Sequence, residues 1–384
     1  MDFRISDDAR AVADLCRTFA ASHLAPFARE RDEQGRFDAA VVRQLGDAGI
    51  LGGALPTDVG GRAWSKVAYA LAMEELGAVD NSWRGFVTVQ GSLVGLCLLD
   101  HGDATQRREH LPPLAAGTRI YAYALTEPSA GTDVAALSTR AVPDGDGWRI
   151  SGEKHWITNG GAADFILVFA TVDPALKHKG ITGFLVRGDA PGLVRRPMEG
   201  SELGHRGSNH ARLVFDGVRV GPSDVVGGVG KGFRVAMGGL EHGRLGVAAG
   251  AVGIQRACLD EAVAFAKSRR QFGQRIGDFQ MIQKVLADMH AKLEASRLLV
   301  MKAAALKDAG LPNQREVSTA KLFATDAAVR AADETILLLG SRGYTSLSPA
   351  GRMLRDAKGM QIYEGTSHVQ RLIIARDLLG KDEG

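Results

Sequence analysis

Beyond Phe233 the sequence stops signalling strands. Three long Ala-, Leu- and Val-rich patterns run with helical periodicity through about 239–268, 279–308 and 317–339, and a last one opens near Ser367. Such helices have few breakers and can bury their apolar faces only against one another, so the spacing predicts an antiparallel bundle.

Upstream, from about Tyr121, the period is shorter. Residues 148–152 follow the turn Pro143-Asp144-Gly145-Asp146-Gly147, a hairpin signal. Runs at 165–170, 183–186 and 212–215 are short, apolar and bounded by Gly, Pro or Asp, which predicts a small barrel or sandwich. The first third reads as helical again. Ser6-Asp7-Asp8 caps a segment with Ala9, Val12, Ala13, Leu15, Cys16 and Phe19 at helical spacing. Asp38 opens a second segment through Val41, Val42 and Leu45, Ser65 caps an amphipathic one over 65–76, and 92–99 reads as a buried helix. Pro112-Pro113 is expected to close this region. The expected fold is α+β and mainly α: an N-terminal helical domain over 1–118, a middle β-barrel or sandwich domain over 119–228, and a C-terminal four-helix-bundle domain over 229–384.

Composition narrows the function. With 384 residues, 45% hydrophobic, 24% charged and a net charge of +3, the chain is globular and lacks the basic footprint of a nucleic-acid binder. Cys16, Cys97 and Cys258 are dispersed, with no Cys-x-x-Cys pair. The acidic N-terminal stretch is unlike a signal or transit peptide, and no apolar run is long enough for a membrane span, so a cytoplasmic protein is expected. The Gly-rich run 227–232 has no Ser or Thr after Lys231 and reads as a tight linker, not a phosphate loop. His205 and His210 lack metal-ligand spacing, Arg107-Arg108 with His101 and His110 read as a solvated face, and no Gly-x-Ser-x-Gly elbow occurs.

Four segments carry chemistry. Residues 123–133, Tyr-Ala-Leu-Thr-Glu-Pro-Ser-Ala-Gly-Thr-Asp, form a hydroxyl- and Gly-rich loop able to offer backbone N–H groups. In 152–160, Trp156 supplies an aromatic face and Thr158 a hydroxyl two residues on, which strand alternation places on one side. Arg269, Gln271, Phe272 and Gly273, followed by Phe279-Gln280, offer an arginine fork for phosphate. In 362–367, Glu364 is a lone carboxylate in an apolar, turn-forming context. The order and spacing of these four segments, over essentially the whole chain, resemble the acyl-CoA dehydrogenase family of FAD flavoproteins.

The resemblance implies the following roles. Leu125, Thr126, Trp156 and Thr158 cradle the isoalloxazine, with Thr158 near N5. Thr132 sits between pyrophosphate and pantetheine, Arg269 and Gln280 reach the FAD of a neighbouring subunit, and Thr366 contacts FAD. Glu241, Arg244, Gly365 and, as a weaker candidate, Arg376 serve the substrate. Glu364 is the base that takes the α proton while flavin N5 takes the β hydride. Some relatives keep their base on the helix that carries Arg244, where this chain has Gly243. Leu337 and Ser341 stand where the family usually has Gln and Gly. The implied substrate is an acyl-CoA or an acyl carrier protein thioester, the implied acceptor an electron-transfer flavoprotein, and the implied assembly a homotetramer. A flavin oxidase on the same fold is the alternative chemistry, and an inactive homologue the non-enzymatic one.

Overall fold

A computed structural model describes residues 4–380; residues 1–3, part of the N-terminal stretch read above, lie outside the described residues. The N-terminal caps form as the sequence predicts. Helix α1 (Asp7–Phe19) starts where the Ser6 hydroxyl accepts from the Ala9 N–H at 3.3 Å. After α2 (Ala28–Gln34), Asp38 caps α3 (Ala39–Asp47), and Ser65 caps α4 (Lys66–Val79). Helix α4 is not amphipathic as expected. Residues 68–77 are buried all round, because α4 is wedged between α1 and the long C-terminal helix described below. Helix α5 (Asn81–Val87) runs into a buried π-helical segment, Thr88–Gly95, and then α6 (Leu96–His101).

Pro112 and Pro113 lie in the last turn of α7 (Ala104–Ala115), the helix that closes the N-terminal region before the first strand. One further expectation is corrected here. His110 is not on a solvated face: it is buried, with Nδ1 3.1 Å from the Tyr121 hydroxyl.

The β region is one eight-stranded mixed sheet: β1 (Tyr121–Ala124), β2 (Arg140–Asp144), β3 (Gly147–Ile157), β4 (Phe165–Thr171), β5 (Ile181–Arg187), β6 (Leu193–Pro197), β7 (Ala211–Val220) and β8 (Val225–Val226). The order is β6-β7-β3-β2-β4-β5-β8, with β1 parallel to β4. Strands β2 and β3 form the expected hairpin. A single parallel pair, Arg140 with Thr171, joins β2 to β4, so the sheet divides there into two wings. Both wings feed one core, with Ile150, Leu213 and Phe215 from one side and Ile166, Val168 and Phe184 from the other. The Gly-rich run is the linker expected, leading from β8 into α8 (Gly232–Ser268).

Helix α8 is the spine of the molecule. It packs on α4, α9 (Gln280–Asp308), α10 (Gln314–Leu339) and α11 (Ala350–Met360), the last of which the sequence reading missed. Between α8 and α9 a two-strand hairpin, β9 (Arg270–Gln271) and β10 (Gln274–Arg275), projects from the bundle, and α12 (Ser367–Leu379) closes the chain. No helix of the described residues is long and apolar enough to cross a membrane, and no group of three metal-ligating side chains occurs among them.

One buried ion pair fixes the loop after β1 to β3. The Lys154 ammonium lies 2.8 Å from Glu127 Oε1, with both side chains fully buried, and it also donates to the Leu125 carbonyl at 3.0 Å. Glu127 accepts in addition from the Ser138 and Thr139 N–H groups. Burial alone would raise the Glu127 carboxyl, but Lys154 and these donors outweigh it and hold it at about 2. Removing one partner strands a buried charge. Lys154→Met should therefore cost about 3–5 kcal/mol in urea denaturation, and adding Glu127→Gln should restore most of it. A loss under about 1 kcal/mol would contradict this.

Candidate active site

The centre of the site is the turn between α11 and α12. Glu364 adopts φ +55° and Gly365 φ +90°. The left-handed region is unusual for glutamate and persists only where its surroundings impose it. Here three side chains grip the carbonyls of the turn. Lys321 Nζ on α10 donates to the Tyr363 carbonyl at 2.8 Å and to the Gly365 carbonyl at 2.6 Å. Gln370 Nε2 donates to the Gly365 carbonyl at 2.9 Å, and Arg244 Nε to the Glu364 carbonyl at 3.1 Å. The cap of α12 is Thr366, whose hydroxyl accepts from the Val369 N–H at 3.2 Å, so Glu364 has no capping duty.

The surroundings of Glu364 are not apolar as expected. They include Lys321, Arg84 and Arg244, none of which bonds to its carboxylate Oε2; that atom is shielded from solvent and has no hydrogen-bond partner. Burial pushes the carboxyl up to about 6, against the pull of the three cations. Burial likewise lowers the Lys321 ammonium, opposed by Glu364. Helix α8 leaves space for the carboxylate only because position 243 is glycine: a Cβ there would stand 2.3 Å from Glu364 Oε2. Gly243 and Glu364 thus fit together, and a side chain at 243 would exclude the carboxylate.

Two of the other candidates lie at the end of β1. Leu125 is buried and Thr126 half-buried, tied to β3 through the His155 N–H to the Thr126 carbonyl at 2.9 Å. Strand alternation does not align Trp156 with Thr158, because Trp156 has φ +58° and β3 ends at Ile157. The twist turns the indole outward, 53% exposed, while the Trp156 backbone N–H donates to Met198 Sδ at 3.4 Å. The loop 198–210 spans from this indole to the Glu364 turn: the His210 ring lies 6.2 Å from Trp156, and the His205 ring 5.3 Å from Tyr363. Arg244 is buried at the turn, and Glu241, one helical turn away, is exposed and accepts from Gln314 at 3.0 Å. Thr132 is exposed on its loop.

Arg269, Gln280 and Arg376 are exposed and make no side-chain hydrogen bond among the described residues; the first two flank the β9–β10 hairpin. Leu337 and Ser341 are also exposed. Sequence reasoning missed Lys321, Gln370, Arg84 and the 198–210 loop. A lysine and a glutamine on otherwise apolar helix faces were the available signals.

The raised carboxyl has a stability consequence. A folded-state pKa above the unfolded value stabilises the fold at low pH, and that contribution is lost as pH rises from 4.5 through about 6. Glu364→Gln removes the buried charge. Its thermal stability should therefore match or exceed wild type at pH 8, by roughly 2 kcal/mol at most, and the advantage should shrink at pH 5. A helix cap would behave in the opposite way, with the variant less stable at pH 8.

Comparison with known proteins identifies the family. Acyl-CoA dehydrogenase N-terminal, middle and C-terminal domain models match residues 6–118, 122–218 and 230–379. The mitochondrial short-chain specific acyl-CoA dehydrogenase of Homo sapiens is 42% identical over 364 residues, 95% of this chain and 88% of that protein. The solved structure of butyryl-CoA dehydrogenase from Megasphaera elsdenii superposes with TM-score 0.96 at 38% identity, covering 99% of this chain and 100% of that one. A chain from a structure described as an electron transferring flavoprotein of Acidaminococcus fermentans gives TM-score 0.97 at 39% identity, covering 99% and 100%. With three family models covering most of its length and a full-length similarity at this level, the chain belongs to the acyl-CoA dehydrogenase family of FAD-dependent oxidoreductases.

Proposed function

We propose that this chain desaturates a short-chain acyl-CoA to the trans-2-enoyl thioester, with Glu364 removing the α proton. The observation that carries the reading is the Glu364 carboxylate, buried, raised to about 6 and left with one oxygen unpartnered. A carboxylate at its ordinary value is a poor acceptor for an unactivated C–H proton, and each unit of increase is about 1.4 kcal/mol of basicity. The fixed φ of Glu364 aims its backbone N–H, a donor for the thioester oxygen as charge develops there. Arg244 holds the turn and flanks the path of the pantetheine arm, with Gly365 leaving that path open and Glu241, Thr132 and Arg376 further out.

The residues present fit FAD. Trp156 presents an outward indole fixed by an unusual backbone conformation, and the backbone of Leu125 and Thr126 is held beside it. Trp156, Leu125, Thr126 and Thr158 would hold the isoalloxazine, with Thr132 and Thr366 at its margins. When bound, FAD accepts the β hydride, which no side chain can take.

The same reading makes the chain a homotetramer in the cytoplasm. Arg269 and Gln280 make no side-chain hydrogen bond among the described residues and would complete the FAD site of a neighbour. Phe272, 94% exposed at the hairpin tip, and Tyr344, 89% exposed, are large apolar surfaces for such a neighbour to cover. Likeness to a chain described within an electron transferring flavoprotein supports such a flavoprotein as the electron acceptor.

Anaerobic mixing with butyryl-CoA should bleach the flavin of the wild type. Glu364→Gln should keep its FAD and lose about 10²–10⁴-fold in reduction rate; reduction within a few-fold of wild type would remove Glu364 from the role. Arg269→Ala should release FAD on gel filtration, and a monomer holding FAD tightly would contradict the shared site.

A further inference from the structure

His205 lies buried in the loop 198–210 and adopts φ +53°. A non-glycine residue keeps that conformation only where its surroundings impose it. Here α11 does so. The His205 backbone N–H donates to Asp356 Oδ1 at 2.7 Å, and the ring Nε2 lies 3.0 Å from the Asp356 carbonyl oxygen. A carbonyl can only accept, so Nε2 carries the ring proton. Burial lowers the imidazole and keeps it neutral, against the pull of Asp356 and with Arg84 and His210 adding to the effect.

Two glycines admit this packing. A Cβ at Gly204 would stand 2.5 Å from the Arg355 carbonyl carbon, and one at Gly359 would stand 2.8 Å from His205 Cδ2. Arg355 fastens the loop further, donating to the Leu203 carbonyl at 2.9 Å and to Asp32 of α2 at 3.0 Å. The loop is thus fixed to α11 over residues 203–205, and the imidazole has one place to sit. That place is against Tyr363, the residue directly before Glu364. The two rings meet edge to face, with centroids 5.3 Å apart and planes at 69°, and Nε2 lies 3.4 Å from the Tyr363 hydroxyl. Glu364 can stay at φ +55° only while the residues on both sides of it are held. Lys321 and Gln370 grip the Gly365 side. On the Tyr363 side, Lys321 takes the carbonyl, Arg84 donates to the hydroxyl at 2.6 Å, and His205 packs on the ring.

Resting on the reading of Glu364 as the base, we infer that His205 is a positioning residue for the reaction: it fixes the Tyr363 side chain and so holds Glu364 in the conformation that aims its carboxylate and backbone N–H. His205 acts only through Tyr363. Without its Nε2–H and its ring the Tyr363 side of the turn gains freedom, and a misplacement of about 1 Å at a reacting group costs on the order of 10²-fold in rate. Arg244 and Glu241 on α8 are untouched, so substrate binding survives. The carboxyl itself supplies a second signature. Burial raises it, against Lys321 of α10, Arg84 of α5 and Arg244 of α8, with the phenols of Tyr69, Tyr123 and Tyr363 nearby. A loosened turn admits water, so the carboxyl falls from about 6 toward 4.5.

The test follows anaerobic flavin reduction by butyryl-CoA in FAD-loaded wild type, His205→Met, His205→Gln and His205→Asn, each below its unfolding midpoint. Met and Gln are alike in size and in cost at φ +53°, so they differ in the N–H donor. Asn suits that backbone better, but its amide stops short of Tyr363. His205→Met and His205→Asn should lose about 10–10²-fold in limiting reduction rate with KM within a few-fold of wild type, and His205→Gln should recover most of the loss. The acid limb of kcat/KM should move below about 6 in the first two and return in the third. A wild-type rate in His205→Asn overturns the inference, even if His205→Met does not fold. So does a loss that His205→Gln fails to relieve, or a lowered melting temperature with rate and acid limb unmoved, which would make His205 a loop anchor alone. A wild type whose flavin butyryl-CoA does not bleach, or a Glu364→Gln variant as fast as wild type, would instead overturn the reading of Glu364, and the inference with it.

Discussion

The ammonium of Lys321, bound to the carbonyls of Tyr363 and Gly365, is the contact on which the rest of the site depends. It comes from α10, while Arg244 comes from α8 and Gln370 from α12, so three helices converge on three residues of backbone, Tyr363, Glu364 and Gly365. A non-glycine residue in the left-handed region costs of order 1–3 kcal/mol. Hydrogen bonds from charged donors contribute about 1.5–3 kcal/mol each, enough to hold the turn in place. Because the cations spend their donors on carbonyls, they leave the Glu364 carboxylate near positive charge yet without a direct bond. It stays ionisable without being neutralised by a partner, which is what proton abstraction near neutral pH requires.

The β region serves the same site from the other side. The Glu127–Lys154 pair fixes the loop carrying Leu125 and Thr126 against the end of β3, where Trp156 turns outward. Here the buried charges are directly bonded to each other, in contrast to the Glu364 carboxylate, whose Oε2 has no hydrogen-bond partner. The fold thus places satisfied pairs where rigidity is needed and unmatched groups where a ligand completes them.

Much of the fold was legible in the sequence because its signals are local. Ser6, Asp38 and Ser65 cap helices through hydrogen bonds to residues two or three positions on, and the turn at 143–147 joins two paired strands. What escaped depended on distant partners. The burial of α4 on every face is set by α1 and α8, and His110 is drawn inward by Tyr121. Glu364 stood out as a lone carboxylate in a turn-forming segment, and its role as base came only from family resemblance; its neighbourhood read as apolar, because Lys321, Arg244 and Arg84 lie 43, 120 and 280 positions away in the chain. The orientation of Trp156 was not legible, since a left-handed residue within a strand breaks the alternation that pattern reading assumes.

The central claim is that the Glu364 carboxyl, raised by burial, must be ionised for reaction. The pH dependence of kcat/KM for an acyl thioester reports the free enzyme's essential groups and tests this most directly. The rate should fall about tenfold per pH unit below about 6 and level off above it. A profile flat between pH 5 and 8, or one that declines as pH rises through 6, would contradict the account.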